Sequence, residues 1–195
     1  MKRRTKMKNN SILKKQKHQS SIDFKGMAFF FKIRDIFKPP TKKIRNSNIK
    51  RGDYVLDYGC GPGSYSFAAA EVVGKEGRIY AADIHPIAIE TVKKKALKKN
   101  IQNITTIQTD CNTKLPDNFI DLVICFDVMH AIADKDKLIK EFHRVLKPDG
   151  YLTFDDHHYN DEEIMNIISN GNLFKLEVKK DKIYNFRING INLSE

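Results

Sequence analysis

Residues Val55–Gly63, with the sequence VLDYGCGPG, decide the fold of this 195-residue chain. Two apolar residues lead into an acid and then into alternating glycines, a pattern that predicts a buried strand ending in a tight turn against a ligand. Asp57 would repel a pyrophosphate but attract a cationic amino group, so the segment favours a positively charged ligand. A structural hairpin or an ordinary nucleotide turn stays open from this segment alone. The spacing departs from the G-x-G-x-x-G of dinucleotide-binding turns, with glycines at Gly59, Gly61 and Gly63.

Further acids follow three more predicted strands. Asp83 ends the second strand about 20 residues beyond the glycines, the position from which a carboxylate binds ribose hydroxyl groups in such folds. Asp110 follows the third strand and Asp127 follows the fourth. Open α/β sheets bind ligands at the carboxyl ends of their strands, so these acids predict one binding edge. A turn or cap role for Asp110 is the alternative.

Strands and helices alternate along the chain, which predicts an α/β fold with a doubly wound, mostly parallel, seven-stranded sheet. A closing hairpin with its turn at Lys180-Asp181 adds an antiparallel edge. The predicted strands are 53–57, 78–83, 103–109, 121–127, 150–155, 173–179 and 182–188, and the predicted helices are 64–73, 86–99, 135–146 and 161–169.

The amino-terminal region divides into two predicted parts. Residues 1–26 contain nine Lys or Arg and one acid, and carry +8 of the formal net charge of +11. They are predicted to be disordered. Three interpretations stay open: an arm that binds RNA or anionic lipid, a solvated extension, or residues that result from choosing a start of the sequence upstream of Met27. The sequence of residues 27–38 predicts an amphipathic helix that ends at Pro39-Pro40. This helix is the first element of the predicted domain 27–195, where it either packs on the core or forms a lid.

Composition excludes several classes of protein. No apolar run reaches the roughly 18 residues that a membrane span needs, and no apolar core of a signal peptide is present. The three cysteines have no paired spacing, which argues against a disulfide scaffold or a zinc ribbon and favours the cytoplasm. The length suits one domain with its own core.

Taken as a set, these segments resemble the class I S-adenosylmethionine-dependent methyltransferases. The resemblance includes Phe142–Gly150, with the sequence FHRVLKPDG. This segment is similar to the one that leads into the fifth strand in the small-molecule branch of the family, which includes the ubiquinone and menaquinone methyltransferases. The resemblance implies S-adenosylmethionine as cofactor, with Asp57 at its amino group and Asp83 at its ribose. It implies Asp110 and the Cys111 backbone amide at the adenine. The other cofactor-binding residues it implies are Gly59, Gly61, Gly63, Ile84 and Phe126.

The acceptor of the methyl group should lie at the ends of the fourth and fifth strands. Polar side chains are dense there, and we predict four catalytic residues among them: His130, Asp156, His157 and His158. They are predicted to orient a small-molecule acceptor or to act as a general base. A metal site and a purely structural role stay open, and no residue is assigned as a metal ligand.

Other functions are weighed against this one. Phe126-Asp127-Val128-Met129 lacks the Asn/Asp-Pro-Pro-Tyr/Phe pattern of enzymes that methylate exocyclic amines of bases. Nucleic acid is therefore a less favoured partner, although an RNA methyltransferase guided by residues 1–26 stays open. A binding module for S-adenosylmethionine without turnover is the third alternative, and the sequence does not indicate an oligomeric state.

Overall fold

The computed structural model describes residues 39–189. The predicted basic extension 1–26 and the predicted helix 27–38 lie outside the described residues. Within the described range, helices flank one seven-stranded sheet. In chain order the elements are α1 (Pro40–Asn46), β1 (Tyr54–Tyr58), α2 (Ser64–Val73), β2 (Arg78–Asp83), α3 (Pro86–Lys98), β3 (Ile104–Gln108), β4 (Ile120–Phe126), a 3₁₀ turn (Met129–Ala131), α4 (Lys135–Val145), β5 (Leu146–Asp155), α5 (Asp161–Ser169), β6 (Phe174–Lys180) and β7 (Ile183–Ile188).

The sheet has the strand order β3-β2-β1-β4-β5-β7-β6. The first five strands in this order are parallel, and β7 is antiparallel to both β5 and β6. The predicted doubly wound α/β fold with an antiparallel carboxyl-terminal hairpin is therefore confirmed. Because β1 lies between β2 and β4, the strand order reverses there, and open sheets bind ligands in the crevice at this switch point.

Burial on both faces of β1 explains why its consecutive residues Val55 and Leu56 are both apolar. Val55 and Leu56 point to opposite faces and are both fully buried. Val55 packs in a cluster with Ala69 of α2, and Leu56 packs in a second cluster with Phe142 of α4. The glycine loop after β1 therefore extends from a strand that two layers of helix hold in place.

Helix α1 was not predicted from the sequence. It begins at Pro40, just after the predicted helix 27–38, which lies outside the described residues. Proline suits this position because the first turn of a helix has no partner for its N–H groups and because its ring fixes a helical φ angle. Ile44 of α1 is buried against the core beside α2. The side chain of Lys43 reaches Asp155 at the end of β5, so this short helix lies next to the ligand-binding edge.

The boundary between α4 and β5 also differs. Helix α4 was predicted to reach residue 146, but Leu146 pairs with Ile120 as the first residue of β5. The register between β4 and β5 then shifts before Leu122 pairs with Tyr151. Residues 147–149, predicted as a connection before a strand at 150–155, therefore belong to β5, which begins at Leu146.

None of the helices within residues 39–189 combines the length and the apolar character needed to cross a membrane.

Candidate active site

The glycine loop after β1 adopts a backbone that other residues rarely accept. Gly59, Gly61 and Gly63 have φ angles of 74°, 50° and 90°, in the left-handed region that favours glycine. A Cβ atom on Gly59 would lie 2.4 Å from Cγ2 of Val128, in the loop after β4. Glycine here therefore permits both the turn and the close approach of the two loops at the switch point.

Asp83, at the end of β2, holds this loop in place. Its Oδ2 atom accepts a hydrogen bond from the Gly61 backbone N–H at 2.9 Å, and its Oδ1 atom accepts one from the His85 N–H at 2.8 Å. A carboxylate oxygen can accept more than one hydrogen bond. Asp83 can therefore still accept hydrogen bonds from a pair of ligand hydroxyl groups while it supports the loop.

Asp57 lies beneath the loop and is only 2% exposed. Burial raises the pKa of its carboxyl group to about 7, the nearby charge of Asp83 acts in the same direction, and a hydrogen bond from Ser66 opposes both. The hydroxyl and the backbone N–H of Ser66 compensate the buried carboxylate only in part. A cationic group above the loop would stabilise its ionised form.

The remaining predicted cofactor residues line the same edge of the sheet. Ile84 is half-buried after β2, and Asp110 is exposed after β3. Cys111 turns its thiol into the core beside Tyr58, while its backbone N–H donates a long bond of 3.3 Å to Thr109. Phe126 is buried at the end of β4. The structure brings these positions to one edge, and their roles toward a cofactor remain predictions.

Asp156, which follows β5, organises two of the predicted catalytic histidines. Its side chain is fully buried. Nδ1 of His130 lies 2.9 Å from Oδ2, and Nδ1 of His158 lies 2.9 Å from Oδ1. The backbone N–H groups of both histidines donate to the same carboxylate at 3.1 and 3.2 Å. Although burial opposes ionisation, these hydrogen bonds lower the pKa of Asp156.

His157 has a different carboxylate partner, Asp127 at the end of β4. Nδ1 of His157 lies 2.9 Å from Oδ1 of Asp127. The ring of His158 lies between the other two imidazoles, with centroids 3.7 Å from His130 and 4.0 Å from His157. The four predicted catalytic residues therefore form one cluster, and Asp127 joins it. When Nδ1 donates to a carboxylate, the lone pair of a neutral imidazole lies on Nε2.

Asp127 has a φ angle of 53°, a left-handed conformation that is uncommon outside glycine. Its backbone N–H donates to the Asp155 carbonyl oxygen at 2.8 Å. Asp tolerates this conformation better than most residues. Strained backbone of this kind is found at functional sites, and here it directs the carboxylate toward His157.

Lys43 of α1 is a site residue that the sequence reasoning missed. Its Nζ atom lies 2.6 Å from Asp155 Oδ2 and 3.1 Å from Asp127 Oδ2, so one ammonium group connects the ends of β4 and β5. Burial acts to lower the pKa of Lys43, but Tyr65 and these carboxylates more than offset it and raise that pKa. Lys43 lies in the sequence PPTKK at 39–43. Nothing in the spacing of these residues indicates that Lys43 belongs to a functional site.

A cavity of about 630 Å³ lies elsewhere, at the amino-terminal edge of the sheet, where Gly74, Arg78 and Asn103 line it. It contains none of the predicted site residues. The glycine loop and the histidine cluster instead occupy the carboxyl-terminal edge, where the chemistry of the side chains is concentrated.

The fold and this edge of the sheet define a Rossmann-like protein of the methyltransferase class. A family model described as a methyltransferase domain matches residues 49–190. The chain belongs to this methyltransferase domain family, and the family resemblance noted in the sequence is confirmed.

Two curated relatives illustrate the similarity. The ubiquinone/menaquinone biosynthesis C-methyltransferase of Francisella tularensis subsp. holarctica is 33% identical over 135 residues, which are 68% of this chain and 53% of the relative. The demethylmenaquinone methyltransferase of Geobacillus stearothermophilus is 31% identical over 108 residues, 55% of this chain and 46% of the relative. The chain spans about half the length of the curated relatives it matches.

Solved structures share the fold. A SAM-dependent methyltransferase from Aquifex aeolicus is 25% identical and superimposes with a TM-score of 0.66, covering 77% of this chain and 87% of that one. A protein from Methanococcus maripaludis is 20% identical with a TM-score of 0.71, covering 88% of this chain and 95% of that one. The second similarity concerns the fold alone.

Proposed function

We propose that this chain transfers a methyl group from S-adenosylmethionine to a small-molecule acceptor. The observation that carries this proposal is the position of Asp83. Its carboxylate supports the glycine loop through Gly61 and can accept further hydrogen bonds at the switch point of the sheet. Membership of the methyltransferase domain family and the Aquifex aeolicus structure support the choice of cofactor.

Each predicted cofactor residue has a place in this proposal. Asp83 binds the ribose hydroxyl groups, and Asp57 attracts the amino group of the methionine part. Asp110 and the Cys111 amide meet the adenine, and the half-buried Ile84 and the buried Phe126 contact the adenosine. The three glycines allow the backbone to lie against the cofactor.

The acceptor lies between the cofactor and the histidine cluster. Its lone pair or carbanion attacks the methyl carbon, the carbon–sulfur bond breaks, and the bonding electrons return to sulfur, which becomes a neutral thioether. The methyl group is already activated, so the protein has to align the acceptor and remove its proton. His157 takes this proton on Nε2, because its Nδ1 atom is held by Asp127.

The relatives suggest the first acceptor to test. Two of them are named for ubiquinone/menaquinone biosynthesis and for demethylmenaquinone. A demethylated quinone in its reduced form is a small molecule with ionisable hydroxyl groups, which the polar end of β5 can bind. Residues 1–26 have no part in this proposal.

The cofactor assignment is tested by calorimetry on the full chain. Asp83→Ala removes hydrogen bonds to a charged group worth about 1.5–3 kcal/mol, so S-adenosylmethionine affinity should fall about tenfold to a hundredfold. Asp181→Ala, which removes an exposed acid in the β6–β7 turn, is the matched control and should bind as the wild type does. Unchanged affinity of the Asp83 variant would refute the assignment.

Turnover with labelled S-adenosylmethionine tests the role of the base. His157→Ala should leave cofactor affinity within a few-fold and slow methyl transfer by about 10²–10⁴, because the cofactor contacts are on other strands. Full turnover in this variant would show that His157 is structural.

A further inference from the structure

Two imidazoles and one carboxylate converge at the end of β5. Oδ1 of Asp156 lies 2.9 Å from Nδ1 of His158 and 3.2 Å from Nδ1 of His130. One ligand atom from each of the three residues lies within 4.8 Å of the other two. Two nitrogens and one carboxylate oxygen on one face are a common ligand set of metal sites that keep open coordination positions.

The distances suit one ion. Metal–ligand bonds of about 2.1 Å separate neighbouring ligand atoms by about 3.0 Å at octahedral angles and about 3.4 Å at tetrahedral angles. The two nitrogen–oxygen distances, 2.9 and 3.2 Å, are close to this range. An ion bound there would replace the Nδ1 protons, which leave to solvent or move to Nε2.

The charge around the cluster also suits a divalent ion. Asp127, Asp155 and Asp156 carry three negative charges, and Lys43 contacts two of these acids. With neutral imidazoles these four side chains have a net charge of −2, Lys182 adds one positive charge near Asp155, and the negative charge that remains favours a cation. The backbone N–H groups of His130 and His158 hold the fully buried Asp156 in place, and such outer hydrogen bonds orient the ligands of metal sites.

We infer that His130, His158 and Asp156 bind one divalent first-row transition-metal ion. Imidazole ligands favour zinc, iron, cobalt or nickel over magnesium and calcium. The catalytic meaning of the ion rests on the proposed function: it holds an oxygen of the acceptor in an open coordination position and lowers the pKa of a bound hydroxyl group. The proton then passes to His157, which has its own carboxylate partner.

The test uses the full chain, freed of metal with a chelator and dialysed, and Co²⁺ as the probe. Calorimetry and the visible absorption of Co²⁺ should both show one bound equivalent. His130→Ala and His158→Ala should each weaken Co²⁺ binding by about 100-fold. His143→Asn is the matched control: it alters a histidine of α4 that packs against Phe174, away from the cluster, and should keep Co²⁺ affinity within about threefold.

Two results overturn the inference. The first is a wild-type chain that binds Co²⁺ no more tightly than the His130→Ala and His158→Ala variants. The second is a loss in His143→Asn as large as in those variants, which would indicate unspecific binding. S-adenosylmethionine affinity measured without metal separates this inference from the proposed function. A chain that binds the cofactor but no Co²⁺ contradicts only the metal site, and a chain that binds Co²⁺ but no cofactor contradicts only the proposed function.

Discussion

Asp57 attracts the amino group of the cofactor in the proposed function, but its burial destabilises the fold when its carboxyl group is ionised. It is almost fully buried, and burial raises the pKa of its carboxyl group from 3.8 to about 7. The folded chain therefore binds a proton more tightly than the unfolded chain. Protonation of Asp57 thus contributes to the free energy of unfolding. This contribution is fully present below pH 4, is lost as the pH rises from 4 to 7, and is absent above pH 7.

Asp57→Asn should therefore stabilise the ligand-free protein at pH 8, by about 1–3 kcal/mol. Asparagine cannot ionise and can still accept the hydrogen bond from Ser66. Urea unfolding should show this gain at pH 8 and little gain at pH 4, while calorimetry should show weaker S-adenosylmethionine binding at pH 8. A variant that is less stable than the wild type at pH 8 would contradict this account of Asp57.

Gly59 allows a second comparison between single residues. Gly59→Ala adds a Cβ atom 2.4 Å from Val128 at a φ angle of 74°, whereas Gly52→Ala adds one at a φ angle of 87° with nothing within 4 Å. Both substitutions incur a left-handed backbone cost of about 1–2 kcal/mol. Only the first also forces apart the loops after β1 and β4.

Urea unfolding should therefore show a larger loss of stability for Gly59→Ala than for Gly52→Ala, by about 1–3 kcal/mol. S-adenosylmethionine affinity should fall in the first variant alone. Equal losses of stability in the two variants would mean that backbone conformation, and not the contact with Val128, requires glycine at position 59.

At the scale of elements, helix α1 contributes a charge to the site. Lys43→Gln leaves Asp127 and Asp155 without their ammonium partner and should lower the free energy of unfolding by about 1–3 kcal/mol. The side chain of the neighbouring Lys42 is 73% exposed and, within residues 39–189, pairs with the exposed Asp181. Lys42→Gln should therefore cost less than about 0.5 kcal/mol in the same urea unfolding series, and equal effects would contradict the structural role of Lys43.

The elements that the sequence predicts well are those whose local pattern agrees with the fold. Val55 and Leu56 are both apolar because β1 is buried on both faces, and the glycines after the strand match the left-handed backbone of the loop. Helix α1 and the first residues of β5 were missed because tertiary contacts decide them. Seven residues behind a proline have no helical period to detect, and Leu146 joins the sheet through its pairing with Ile120.

The candidate site, too, was predicted from the sequence only in part. The histidine cluster follows from topology, because β4 and β5 are adjacent and parallel and their ends must meet. The choice of partners does not follow from topology. Which carboxylate holds which imidazole depends on side-chain geometry, and the ammonium of Lys43 reaches the cluster from more than 80 residues away in the chain.

At the scale of the whole molecule, residues 1–26 should be dispensable for folding. Their composition cannot supply a core, so a chain that begins at Met27 should melt within about 2 °C of the full chain, under about 1 kcal/mol for a domain of this size. Calorimetry should show the same S-adenosylmethionine affinity. A loss of several degrees would show that the segment packs on the domain, and salt-dependent RNA binding that disappears with the deletion would favour a nucleic-acid acceptor.

The contact between Gly59 and Val128 joins the two halves of the binding edge. Gly59 belongs to the loop proposed for the cofactor, and Val128 follows Asp127 beside the proposed acceptor position. If occupancy of one loop alters the position of the other, the two ligands share a coupling free energy. By linkage, the factor by which cofactor raises affinity for the acceptor equals the factor by which acceptor raises affinity for the cofactor. Under such a coupling, loss of the methyl group during turnover would also change how tightly both products are held.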